Sequence, residues 1–230
     1  MKTLSLAMVL TALVAATATP ALASDSAPAK ERPALRASAE VEQAIARQKA
    51  STPRAFEAFR AVRDEVPAAD AKKRGRLAVL GPRFAALGPS ALYPMLEALL
   101  GPEPQGFTPE ARVALRAGML EAVAKLRSPH GAAVATAVLA AESDPDVVRA
   151  AAEVLARMMT DEHTKTLEAL VAQGDRRVPV IEGMSSCRTL RGARILVAVV
   201  DDGADARATK AAMDSLGKLG STWAWSTPEL

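Results

Sequence analysis

The chain has 230 residues, with 29 Lys and Arg against 26 Asp and Glu, for a formal charge of +3. So balanced a charge argues against a nucleic-acid binder that works through bulk electrostatics. Half of the residues are hydrophobic, yet Cys187 is the only cysteine, so no internal disulfide can form and stability must come from packing.

In chain order, the first element is an export signal. Lys2 supplies a positive start, Leu4 to Ala16 form a largely apolar run, and Ala21-Leu22-Ala23 places small residues at the two positions a signal peptidase reads. Cleavage is expected before Ser24, making 1–23 a signal peptide. The run is shorter than the roughly 20 residues of a bilayer-spanning helix and is broken by Thr17, Thr19 and Pro20. Only Lys2 is charged in that segment, so the mature chain keeps 28 basic and 26 acidic residues. The expected location is periplasmic or secreted, with no transmembrane anchor after cleavage. Residues 24–37, rich in Ala, Pro and charge without a helical stripe, read as a flexible lead-in.

Beyond the lead-in, Thr52-Pro53, Thr108-Pro109, Ser128-Pro129 and Asp144-Pro145 each place an oxygen-bearing side chain before a proline. Such a side chain can accept a bond from an otherwise orphaned amide, and proline suits the first helical position because its missing N–H would be unpaired there. All four read as helix starts. Amphipathic spacing predicts helices near 38–50, 53–66, 70–87, 89–100, 109–127, 129–141, 145–159, 163–173, 177–188, 190–201 and 205–219, with Pro82 kinking or splitting the third. The linkers are short, so consecutive helices must pack as antiparallel neighbours.

These helices repeat. Glu121-Ala-Val-Ala-Lys-Leu-Arg127, Glu153-Val-Leu-Ala-Arg-Met-Met159, Glu182-Gly-Met-Ser-Ser-Cys-Arg188 and Asp214-Ser-Leu-Gly-Lys-Leu-Gly220 align, with lead residues 32, 29 and 32 apart. A shorter apolar helix comes after each of the first three. Residues 83–100 look like a diverged copy, set off by an insertion near Gly101 to Phe107.

The stretch Asp144 to Met158, followed by a polar break and Thr164-Lys-Thr-Leu-Glu-Ala-Leu170, resembles the HEAT-like repeats of the armadillo-type superhelix class. Ala86-Leu87-Gly88 before Ala91-Leu92-Tyr93-Pro94-Met95-Leu96 resembles the same repeat's helix junction. The likeness runs from about Arg74 to Gly220. It implies an all-α fold of antiparallel helix pairs stacked as a short right-handed HEAT-like solenoid over 38–220, with 221–230 as a C-terminal tail or cap. Uneven spacing, Pro82 and the close break at Arg188-Thr-Leu-Arg191 depart from the family pattern and point to a distorted third unit. One segment has a rival reading: Arg194 to Gly203 could be a buried strand ending in carboxylates, because period alone does not separate short apolar runs.

No catalytic constellation emerges, and no cofactor is expected. His130 and His163 sit in breaks of successive units and offer only a weak metal edge, since no helix carries His-x-x-x-His spacing. Gly183-Met-Ser-Ser-Cys187 lacks the second glycine of a nucleophile elbow, and Cys187 falls at a core position of the alignment. The second helix of each pair, whose face is the binding side of such arrays as the resemblance implies, would display Tyr93 and Glu97, Lys165 and Glu168, and Arg191 and Arg194. Arg176, Arg177, Arg188, Arg191 and Arg194 also form a local basic cluster suited to an acidic protein or an anionic envelope polymer.

No aromatic residue falls between Phe107 and Trp223, so the central core must be built from Ala, Val, Leu and Met. Trp223 and Trp225 would then be either a lid over the last helix or an anchor for a partner. The expectation is a non-enzymatic exported scaffold with an unknown protein partner in the cell envelope. The alternatives are a metal-dependent or other accessory enzyme using the His130/His163 edge, and a binder of anionic polymers.

Overall fold

The computed structural model describes residue 35, residues 37–73 and residues 76–221. The expected signal peptide, most of the lead-in, and Trp223 and Trp225 lie outside the described residues. Within them the fold is all-helical. It begins with α1 (Ala39–Ser51), α2 (Pro53–Asp64), α3 (Val66–Ala71) and α4 (Gly81–Ala85). Then come α5 (Leu92–Leu100), α6 (Pro109–Leu126), α7 (Pro129–Ala141) and α8 (Pro145–Met158). The chain closes with α9 (Asp161–Val171), α10 (Arg177–Gly183), α11 (Leu190–Asp202) and α12 (Ala206–Leu219).

The oxygen-before-proline starts work as physical caps at three of the four places. Thr108 Oγ accepts from the Ala111 amide, Ser128 Oγ from Gly131, and Asp144 Oδ from both Asp146 and Val147. Thr52 does not cap α2; its hydroxyl turns back and donates to the Gln48 carbonyl of α1 at 2.8 Å. Ser38, Thr160, Thr189 and Asp205 also cap helices with their side chains, without a following proline.

The expected helix over 70–87 is not there. Helix α3 stops at Ala71, and Leu77 to Leu80 run without helical structure, burying Ala78 and Leu80 while Val79 faces outward. Pro82 therefore opens α4 instead of kinking a longer helix, as befits a residue with no N–H to contribute. The expected helix over 177–188 also ends early, at Gly183, and passes through a tighter turn over Met184–Ser186. The strand alternative at 194–203 is excluded, because these residues belong to α11 and its cap. Ile195, Leu196 and Val199 are buried while Val197 is exposed, and Gly203 at φ 59° ends the helix in the left-handed cap that glycine adopts without strain.

Helix α4 packs on α6, α6 on α8, α8 on α10 and α10 on α12, while α7, α9 and α11 pack beside their preceding or following long partners. Side-chain links between successive members recur at similar offsets: Arg149 to Glu121, 28 residues apart; Ser186 to Glu153, 33 apart; and Ser215 to the Ile181 carbonyl, 34 apart. Small side chains allow this closeness. A Cβ on Gly183 would lie 2.6 Å from the Arg149 carbonyl oxygen and 2.7 Å from the Ala152 Cβ. Ala150, Ala151 and Ala152 of α8 are all buried, and the largest fully buried side chains between α6 and α11 are Leu, Ile and Met.

Candidate functional site

The second-helix face that the sequence singles out is largely engaged with its own neighbours. Tyr93 of α5 is half-buried, with its hydroxyl 3.1 Å from His130 Nδ1 and the two rings edge-on at 5.8 Å. His130 Nε2 lies 3.5 Å from Glu40 of α1. Glu97 pairs with Lys49 at 2.7 Å, and Glu168 with Arg191 at 2.5 Å. Lys165 and Arg194 are exposed.

The arginine cluster is dispersed by its contacts. Arg176 donates to the Leu139 carbonyl near the end of α7, Arg177 pairs with Asp202 of α11 at 3.1 Å, and Arg191 serves α9 through Glu168. Arg188 points elsewhere, into a cavity beside the end of α12. His163 is held within its own helix start by Thr160. Among the described residues no group of three or more His, Cys, Asp or Glu side chains is placed to hold a metal ion. Cys187 is buried, its sulfur 3.4 Å from the Thr189 hydroxyl.

That cavity, of about 740 Å³, opens beside the C-terminal ends of α6, α8 and α12 and the link that follows α10. Arg127 at the end of α6, Arg157 and Met159 at the end of α8, Arg188 in the turn after α10, and Met213 and Lys218 of α12 line it. All of these except Met213 fall at the fifth or seventh position of the four aligned segments, so the internal repeat is what brings them to one edge. Cations at helix C-termini also offset the partial negative charge of the terminal carbonyls, so part of this charge supports the fold. Arg157 is further engaged by Glu153 at 2.8 Å.

Two helix ends at this groove are unusual in the same way. Arg127 and Met159 both adopt the left-handed conformation, at φ 48° and 55°, and are the only non-glycine residues with positive φ among those described. Glycine is the low-strain choice for such a cap, and a side-chain-bearing residue there costs roughly 1–2 kcal/mol. Each of the two presents a side chain at the groove that glycine would lack.

The acidic member of the lining is Asp214. A hydrogen bond from Lys210 at 2.7 Å, with that ammonium's charge, holds its carboxyl below the usual aspartate range and raises Lys210 in turn. On α8, outside that lining, burial pulls the Arg149 guanidinium down, but its hydrogen bond to Glu121 and the carboxylates around it outweigh this and leave it raised. Of the groove cations, Arg188 alone stands out in the sequence as a candidate. The signal for the others is a basic residue at the fifth or seventh position of the aligned segments: Arg127, Arg157 and Lys218.

No known protein family, no curated protein and no solved structure matches this chain.

Proposed function

We propose that this chain is a non-enzymatic scaffold, an exported HEAT-like array of helix pairs that holds an acidic protein segment in the groove between Arg127 and Lys218. The observation that carries the reading is the pair of strained helix ends. Arg127 and Met159 keep side chains at positions where glycine would be less costly, and both line the same groove. The repeated offsets between α6, α8, α10 and α12 support the array, and the pattern of residues 1–23 supports export. Among the described residues no helix is long and apolar enough to cross a membrane.

The lining favours a peptide over a dense polyanion. The groove is built at helix C-termini, whose carbonyls repel closely spaced negative charge, and it includes the apolar side chains of Met159 and Met213, the latter 58 % exposed. Sparse carboxylates set among apolar groups match that mixture, with the cations steering encounter and the methionines supplying adaptable contact. The test is affinity capture of the tagged chain from its native envelope. A defined protein is expected with the unaltered chain and with His130→Ala/His163→Ala, and is expected to be lost with Arg188→Glu/Lys218→Glu. Capture indifferent to the groove substitutions removes the groove from the reading, and capture of an anionic polymer that moderate salt abolishes favours electrostatic polymer binding instead.

A further inference from the structure

We propose that two copies of this chain pair through the exposed face of α11, antiparallel about a two-fold axis that passes between Val197 and Ala198. The lining of the groove includes none of the residues of this face, so pairing does not depend on what the groove holds.

Leu190, Arg194, Val197, Ala198 and Asp201 are all exposed, and helical spacing sets them in one stripe along α11. Two of them are large apolar side chains open to solvent, Leu190 at 69 % and Val197 at 45 %. The repeat does not call for them. At the 29-residue offset that separates Glu153 from Glu182, α9 exposes Asp161, Lys165, Glu168, Ala169 and Ala172. Leu190 and Val197 therefore stand where the previous unit has carboxylates, and covering them removes apolar surface from water.

The charges on the stripe select the occupant. Among the described residues Arg194 and Asp201 have no side-chain partner, while their neighbours Arg191 and Asp202 are taken by Glu168 and Arg177. Arg194 and Asp201 lie about 10 Å apart along the helix axis, too far to pair within one copy. A second α11 laid antiparallel across the stripe brings Arg194 level with the partner's Asp201, and a two-fold contact makes that pair twice. In the same register Val197 meets the partner's Ala198 at the centre, where the small side chain lets the axes approach to the roughly 8–10 Å of packed helices. Leu190 then reaches the partner's Ala204, which is exposed just beyond α11. A parallel pair would instead set Arg194 against Arg194 and Asp201 against Asp201, which is repulsive.

Analytical ultracentrifugation of the full chain at a series of concentrations is the test. One helix against one helix is a small interface, so a monomer–dimer equilibrium is expected between about 1 µM and about 1 mM chain. Arg194→Asp and Asp201→Arg, made singly, should each weaken the dimer by about tenfold or more, because each sets two like-charge contacts across the axis. Combined in one chain they recreate two opposite-charge pairs and should return the dimer to near its unaltered strength. Val197→Glu should abolish it. All three positions are exposed, so the helical circular-dichroism signal should stay unchanged.

Weakening by each reversal alone and recovery by the two together is the signature of antiparallel pairing between copies. A chain that stays monomeric over the whole range overturns the proposal, and so does a dimer that none of these variants moves. A dimer lost with Val197→Glu but not recovered by the combined reversal rejects the antiparallel register and the pairing assigned to it. A different protein captured by the monomeric chain and lost with Val197→Glu gives the face to that protein and equally overturns pairing with a second copy.

Discussion

Arg116 of α6 and Glu142 at the end of α7 meet inside the molecule, with Arg116 Nε 3.5 Å from Glu142 Oε2 and Glu142 only 1 % exposed. The carboxylate also accepts from the Ser143 and Asp144 amides at 2.8 and 3.1 Å, and Arg116 donates to the Leu99 carbonyl at the end of α5. One ion pair thus ties α5, α6 and the link that leads into α8. Removing one partner leaves a buried charge uncompensated, which typically costs about 3–5 kcal/mol. Glu142→Ala should lower the urea-unfolding free energy by that order, whereas Arg116→Met/Glu142→Leu should lose much less. An equal loss in both would mean the pair's charge is not what matters.

Relief of the strained cap at the groove should be measurable. Met159→Gly removes roughly 1–2 kcal/mol of left-handed strain but adds unfolded-chain entropy of about 0.4–1 kcal/mol. The expected net is a rise of about 0.5 kcal/mol in stability, read from the denaturation midpoint. The same variant should capture partner less well, because the methionine side chain leaves the groove.

Two glycines should respond in opposite directions to the same change. Gly183→Ala forces a methyl against the α8 backbone at 2.6 Å, and overpacking of this kind costs about 1–3 kcal/mol. Gly217, in the exposed last turns of α12, has nothing within 4 Å of an added Cβ, so Gly217→Ala should stabilise by about 0.5–1 kcal/mol through helix propensity. Thermal unfolding of the two variants side by side checks both signs.

Capping makes a third contrast. Asp144→Ala removes the acceptor for two amides of α8 and should cost about 1–2 kcal/mol. Thr52→Ala should cost less than half as much, because the Thr52 side chain accepts from no amide of α2 and only donates to the Gln48 carbonyl at the end of α1. Equal losses in equilibrium unfolding would argue that the oxygen-before-proline pairs act only through proline.

The helices were legible because their signals are local. A capping oxygen next to proline and a stripe at helical spacing are properties of neighbouring residues, so α6, α7 and α8 start where the sequence places them. The region from Val66 to Ala85 was not legible, because Pro67 and Pro82 can open short helices as readily as interrupt a long one. What selected the former is burial of Ala78 and Leu80 and the close approach of Leu80 to Gly118, where an added Cβ would lie 2.6 Å from the Leu80 Cβ.

The candidate site divides the same way. Charge type and repeat register belong to the sequence, and they placed a basic residue near the end of each aligned segment. Which cations are engaged by internal partners is decided by distance between residues far apart in the chain. Arg176 found a carbonyl of α7, Arg177 found Asp202, and Arg191 found Glu168. The sequence by itself determined helices, their period and a core of small aliphatic side chains, because hydrogen bonding and burial at helical spacing are short-range. Only the tertiary structure decided which charged side chains pair across helices, since Coulomb pairing acts on the few ångströms between side chains that packing alone brings together.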